Sequence, residues 1–101
     1  MSATATLVLK AGLSGGESLR IYDVSPGAGD TTGSVTIDDV AEVYVLGIVN
    51  LIEAPAAGAQ NVVQAKENSS TKNQVDYALW NSGNAAATSL KDFRLLLKTV
   101  S

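Results

Sequence analysis

Five acidic residues around one glycine-rich segment form the first group whose side chains could do chemistry. These residues are Asp23, Asp30, Asp38, Asp39 and Glu42, and carboxylate oxygens are the ligands that Ca²⁺ prefers. Their spacing differs from that of an EF-hand loop, in which the ligands recur at set positions of a 12-residue segment. Paired aspartates at the end of a strand also commonly solvate a turn. We therefore predict no metal site and no cofactor.

The glycine-rich segment itself is a candidate phosphate loop. Ser25–Ser34 (SPGAGDTTGS) spaces its glycines as G-x-G-x-x-x-G, one residue longer than the dinucleotide-binding fingerprint. Such loops bind phosphate because they open a helix whose first amides face the ligand. Here Val35 and Ile37 follow with the spacing of a strand. The segment is therefore expected to be an exposed polar connection.

The absence of cysteine and histidine narrows the possible reactions further. Without them the chain has no cysteine nucleophile, no thiolate metal site and no Ser-His triad. Ser89 and Lys91 could form a Ser–Lys pair, but no surrounding pattern supplies an oxyanion hole. No spacing among the acidic residues singles out a pair of catalytic carboxylates. We predict that the protein is not an enzyme.

Charge and hydropathy bear on the kind of partner. The net charge of −3 and the acidic pI of about 4.6 argue against nucleic acid. The longest uncharged apolar run, Val43–Ile52, contains Asn50. It is far shorter than the roughly 20 residues of a membrane-spanning helix. Neither nucleic acid nor a membrane is expected as a partner.

Short runs with strand character, separated by Gly, Ser, Asn and Pro clusters, organise the chain. The predicted strands are Thr4–Ala11, Ser18–Val24, Ser34–Ile37, Glu42–Ile52, Val62–Lys66, Val75–Asn81 and Phe93–Val100. For the last of these, a short C-terminal helix from Leu90 with Ser89 as N-cap is the alternative. The pattern predicts a single all-β domain over residues 1–101. We expect a small antiparallel β-sandwich or barrel of about six or seven short strands.

Alternation within the strands predicts which side chains share a face. In the first strand one apolar face is expected to hold Ala5, Leu7, Leu9 and Ala11. In the second strand Leu19 and Ile21 alternate with polar or amphipathic residues. Glu42–Ile52 is apolar on both faces, which favours a central strand covered on both sides. Gly47 in its middle indicates a bulge or the close approach of another backbone.

Two features point to surfaces that could contact other proteins. Tyr77 and Trp80 fall on opposite faces of one predicted strand, so one of them should point away from the core and could anchor a partner. The alternative is that Trp80 lies in the core with Tyr77 at its rim. The N-terminal strand, with Thr4 and Thr6, and the apolar strand Phe93–Val100 could each extend the sheet of a neighbour. The predicted partner contacts are therefore Thr4, Thr6, Tyr77 and Trp80.

At the level of the whole chain the sequence resembles small virion structural proteins of tailed phages, of the capsid decoration (cement) type. The resemblance rests on the 101-residue length, the lack of Cys and His, the start TATLVLKAGLSGGESLRIYDV and the end DFRLLLKTVS. It implies an all-β protein that docks at local symmetry axes of the capsid exterior, often as a trimer. Its partners would be the major capsid protein or another virion protein and further copies of itself. It would occupy the cytoplasm of the producing cell before assembly.

Two other classes of function remain open from the sequence. One is a small β binding module that recognises carbohydrate or peptide through Ser25–Ser34 and Ala54–Asn61. An exposed Trp80 beside a concave face would favour it. The other is a structural subunit of the phage tail or neck, which the stoichiometry of a ring would distinguish from a shell protein.

Overall fold

Seven β-strands account for almost all of the regular structure in this computed structural model, which describes residues 3–26, 32–51, 62–80 and 92–101. A short 3₁₀ turn, Ser14–Gly16, joins the first two strands. The strands are β1 (Thr4–Gly12), β2 (Glu17–Ser25), β3 (Thr32–Thr36), β4 (Glu42–Leu51), β5 (Val62–Glu67), β6 (Gln74–Trp80) and β7 (Phe93–Val100). The predicted all-β class is confirmed.

The strands form two antiparallel sheets that pack face to face. Sheet A has the order β1-β2-β7-β4, and sheet B has the order β3-β6-β5. The core between them is built from Tyr22, Val24, Val35, Ile37, Val40, Val43, Val75, Tyr77, Leu79, Phe93, Leu95 and Leu97. Of the two predicted forms, the chain therefore adopts the sandwich. We call the side of each sheet that faces this core its inner face.

Strand β7 lies in the centre of sheet A, between β2 and β4. Phe93, Leu95 and Leu97 point inward and are completely buried, which confirms the strand over the alternative helix. A helix would have offered the core only one stripe of this apolar run. The expectation that β7 has a free edge for a neighbour is wrong, because two strands of its own sheet occupy both edges.

Strand β4 lies at the edge of sheet A, so its predicted central position is wrong. Tyr44, Leu46 and Val49 on this strand are exposed. Its pairing with β7 shifts register between Val45 and Gly47 and again between Ile48 and Asn50. The bulge expected at Gly47 is therefore confirmed. Such irregularities bend and twist an edge strand and discourage further pairing along it.

The predicted hairpin of β5 and β6 is confirmed. Its turn is held by Asn68, whose Oδ1 accepts hydrogen bonds from the backbone N–H groups of Ser70 at 2.9 Å and Thr71 at 2.8 Å. A short polar side chain that bonds the backbone two and three residues ahead is typical of such turns. Asn68 Nδ2 also donates to Asp76 at 3.0 Å, which ties the turn to β6.

Candidate interaction surface

A bulge in β1 changes which of its side chains face outward. The pairing with β2 shifts between Leu7 and Leu9, so that Leu7 lies opposite Tyr22 but Leu9 lies opposite Ile21. Tyr22 is on the inner face and Ile21 on the outer face. Since strand side chains alternate, one extra residue moves everything beyond it to the other side. The predicted common face of Ala5, Leu7, Leu9 and Ala11 is therefore correct only as far as Leu7.

Strand β2 turns its more polar face inward. Ser18, Arg20, Tyr22 and Val24 are buried, whereas Leu19 and Ile21 lie on the outer side. The Arg20 guanidinium donates from Nη1 to the Tyr22 hydroxyl at 2.8 Å and to the Asp39 carboxylate at 3.0 Å. Burial lowers the pKa of Arg20, but these hydrogen bonds outweigh it and the net pKa is raised. The charge is therefore retained.

Cross-strand register places apolar residues in two adjacent rows on the outer side of sheet A. The first row runs Leu9–Ile21–Leu96–Gly47 and the second runs Ala11–Leu19–Lys98–Tyr44. We call this region the outer apolar face and define it by Leu9, Leu19, Ile21, Leu96 and Tyr44. Leu9 is 59% exposed and Tyr44 is 40% exposed. A contiguous apolar patch of this kind is a common feature of protein interaction sites.

Ion pairs frame the outer apolar face at both ends. Arg94 Nε donates to Asp23 Oδ1 at 2.7 Å, and the hydrogen bond lowers the pKa of Asp23 and raises that of Arg94. At the other end Lys98 Nζ is 3.0 Å from Glu17 Oε2 and 5.7 Å from the centre of the Tyr44 ring. An apolar centre with a charged rim is the usual anatomy of a protein interface.

The two edges of sheet A extend this surface. On β1, Val8 at the bulge is 46% exposed, and on β4, Leu46 is 53% exposed. Thr4 and Thr6 lie on the outer side of β1, opposite Ser25 and Asp23, and both are exposed. The structure thus leaves both predicted threonines accessible, next to the charged rim.

The two predicted aromatic contacts have opposite environments. Tyr77 is only 4% exposed, and its ring packs edge to face against Phe93 with 5.3 Å between ring centres. Its expected place at a partner surface is therefore wrong, because the inward side of β6 is covered by sheet A. Trp80 points outward and is 37% exposed, with its indole N–H donating to Gln64 Oε1 at 3.1 Å. The alternative with Trp80 in the core is also wrong.

Two of the five acidic residues singled out from the sequence form ion pairs with arginines. Asp39 pairs with Arg20 and Asp23 pairs with Arg94. Among the described residues no three acidic side chains converge in a group that could hold a metal ion. Asp30, Ser89, Lys91, Ala54–Asn61 and residues 27–31 of the glycine-rich segment lie outside the described residues.

In the residues that the structure describes, no helix is long and apolar enough to cross a membrane. Comparison with known proteins adds no assignment. No family model, no curated protein and no solved structure matches this chain. The outer apolar face, whose residues come together from β1, β2, β4 and β7, is the candidate interaction surface of the described residues.

Proposed function

We propose that the protein is a non-enzymatic virion structural protein that binds the outer surface of a phage capsid and stabilises the shell by bridging its subunits. The outer apolar face, with its charged rim, is the observation that carries the proposal. Burying Leu9, Ile21 and Leu96 against a shell would remove apolar area from water at about 25 cal/mol per Å². A stable contact of this type buries roughly 1,000 Å² or more.

The arrangement of the edges supports an adhesive role over simple extension of a neighbouring sheet. Both edge strands of sheet A carry bulges, and bulged edges are poor templates for continuous strand pairing. The face of the sheet has no such obstacle, since Leu19, Ile21 and Leu96 lie on its two regular central strands. We therefore assign the main contact to the face, with Thr4 and Thr6 at its margin.

The test is co-sedimentation of the purified protein with empty capsid shells of the phage that encodes it. Wild-type protein should bind saturably, and Ile21→Lys should reduce binding at least tenfold because a charge would replace an apolar contact. Ala78→Lys, on the outer face of sheet B, is the matched control and should bind normally. Failure of wild-type protein to sediment with shells, or equal binding by both variants, would contradict the proposal.

The same preparation addresses assembly into homo-oligomers, with a trimer as the expected species. Native mass spectrometry of the free and shell-bound protein measures the number of copies in each unit. A protein that stays monomeric in both states would contradict the proposed oligomer, and the protein would then dock on the shell as single copies.

A small β binding module is the second candidate, and the exposure of Trp80 favours it. Gln64, which accepts the indole hydrogen bond, also lines a shallow depression of about 410 Å³ together with Lys66 and Asp76. Aromatic rings beside polar groups are suited to stacking and hydrogen bonding with a sugar. A glycan array separates the two candidates, because a binding module should lose its hits in Trp80→Ala and a shell protein should show none.

A further inference from the structure

We propose that a second site, independent of the outer apolar face, binds a small oxyanion group such as phosphate or a carboxylate. It is a cavity of about 300 Å³ at the end of the sandwich where β1 ends and β2 begins. Its walls come from the last residues of β1, the first of β2 and the last of β7. The residues that carry the argument are Lys10, Gly12, Ser18, Arg20, Thr99 and Ser101.

A buried arginine supplies the first positive charge. Arg20 is only 5% exposed, and its Nε donates to Ser18 Oγ at 3.2 Å. Nη1 bonds Tyr22 and Asp39, whereas no described residue accepts a hydrogen bond from Nη2. These fixed contacts hold the planar guanidinium in place, and a pre-positioned guanidinium is well suited to oxyanions.

Lys10 supplies the second charge from the neighbouring strand. It lies directly opposite Arg20 in the β1–β2 pairing, so both side chains extend from the same face of the sheet. Lys10 makes no ion pair with any described residue. The carboxylate of Asp39 neutralises the charge of Arg20, and Lys98 neutralises the charge of Glu17, which also lines the cavity. Lys10 is thus the cation of the cavity wall that has no carboxylate partner among the described residues.

Hydroxyl groups line the same cavity and fix its walls through hydrogen bonds within the protein. Ser18 and Thr99 are hydrogen-bonded to each other across β2 and β7, and Ser101 Oγ donates to the Gly16 carbonyl at 2.9 Å. The hydroxyls of Ser18 and Thr99 are both buried. Because these hydroxyls are bonded to one another and to backbone carbonyls, the donors left for an anion are Arg20 Nη2 and Lys10 Nζ, and such cationic donors replace the hydration of an oxyanion with directed hydrogen bonds.

Glycine keeps the cavity open. Gly12 lies opposite Ser18, and a Cβ atom built at this position would meet nothing within 4 Å. A larger side chain here would project into the cavity from the same face as Lys10. Gly12→Val is therefore a variant that closes the site without removing any of its donors.

The experiment is an amide NMR titration with sodium phosphate and, separately, sodium acetate, at constant ionic strength set with sodium chloride. Saturable shifts are expected at Lys10, Ser18, Arg20 and Thr99. Lys10→Gln should weaken binding about tenfold, the usual effect of losing one charge-assisted hydrogen bond. Gly12→Val should abolish it.

Lys66→Gln is the matched control, since it removes one lysine from the outer face of sheet B, and it should bind like wild type. Non-saturating shifts, or equal effects of Lys10→Gln and Lys66→Gln, would overturn the site. If Gly12→Val does not give a dispersed amide spectrum, Lys10→Gln decides alone.

A third titration with a short blocked peptide containing one aspartate separates the two sources of the oxyanion. Tighter binding of the peptide than of acetate identifies a carboxylate presented by a protein partner. Tighter binding of phosphate identifies a free ion or a phosphate group. Because Ile21→Lys leaves this cavity intact, retained anion binding in that variant distinguishes this site from the proposed shell contact.

Discussion

The two faces of sheet A carry similar side chains but have different surroundings. Three consecutive leucines of β7 show the contrast most simply: Leu95 and Leu97 are completely buried by sheet B, whereas Leu96 points outward beside Ile21. On β7 the inner face is apolar from Phe93 to Leu97 because these residues form the core. The outer face is apolar with no described part of the chain to cover it. The apolar character of the outer face is therefore not explained by the packing of the described residues.

The outer face of sheet B shows that exposed apolar residues are not a general property of this chain. It presents mainly Thr32, Ser34, Thr36, Gln64, Lys66, Gln74 and Asp76, with Val62 and Trp80 paired at one end. A half-exposed sheet normally looks like this, with polar side chains facing solvent. Of the two outer faces that the described residues form, that of sheet A is therefore the exception, which is why the proposed contact is placed there.

The largest expected effect is a difference in stability between variants of Leu95, on the inner face, and Leu96, on the outer face. Leu95→Ala should lower the free energy of unfolding by about 2–5 kcal/mol, because it leaves a cavity in the core. Leu96→Ala should cost about 1 kcal/mol, because solvent can fill the space that the side chain leaves. Urea unfolding followed by circular dichroism measures both. Equal losses in the two variants would mean that the outer face is also covered in the free protein.

Two glycines allow the same comparison by addition of one methyl group. A Cβ at Gly33 would lie 2.6 Å from Tyr77 Oη, so the tyrosine must move and Gly33→Ala should cost about 1–3 kcal/mol. Gly47, on the outer side of sheet A, has nothing within 4 Å of a built Cβ. Gly47→Ala should change stability by about 0.5 kcal/mol or less. Calorimetric melting temperatures test the pair, and a reversed order would show that Tyr77 does not fill the space above Gly33.

The smallest expected effect concerns the charged rim of the outer face. The hydrogen bond from Arg94 lowers the pKa of Asp23 in the folded state, so this pair stabilises the fold above the unfolded pKa of about 3.9. The contribution is lost as the pH falls from about 4 through the folded pKa. Asp23→Asn should therefore narrow the difference in stability between pH 6 and pH 3. Thermal melts at both values measure it, and an unchanged difference would show that the pair contributes nothing in solution.

Local patterns were enough to predict most of the strands, because alternation and turn residues act over a few neighbouring positions. The hairpin of β5 and β6 was predicted with its turn, and β7 was correctly preferred as a strand over a helix. The order of strands in the sheets was not predictable in the same way. The segment Glu42–Leu51 lies at an edge and Phe93–Val100 in the centre, although the first is apolar on both faces and the second carries Arg94 and Lys98 on one face.

The candidate site was harder to predict than the strands. Thr4, Thr6 and Trp80 are accessible as expected, but Tyr77 is in the core. The rows around Ile21 and Leu96 were missed, because the bulge after Leu7 and the inward turn of Arg20 both change which side chains face out. The apolar character of Leu19 and Ile21 between polar neighbours was a signal of an apolar face, but it did not say which face the core would cover.

The amino-acid sequence by itself determined the all-β class, the turn of the β5–β6 hairpin, the lack of cysteine and histidine chemistry, and the two-sided apolar character of Glu42–Ile52. These properties follow from composition and from interactions between residues close in the chain. Only the tertiary structure decided which apolar face became the core, which strands became edges, and that Lys10 and Arg20 meet at one cavity. Those outcomes depend on register and on sheet-to-sheet packing between distant segments, where a single bulged residue reverses the direction of every side chain that follows.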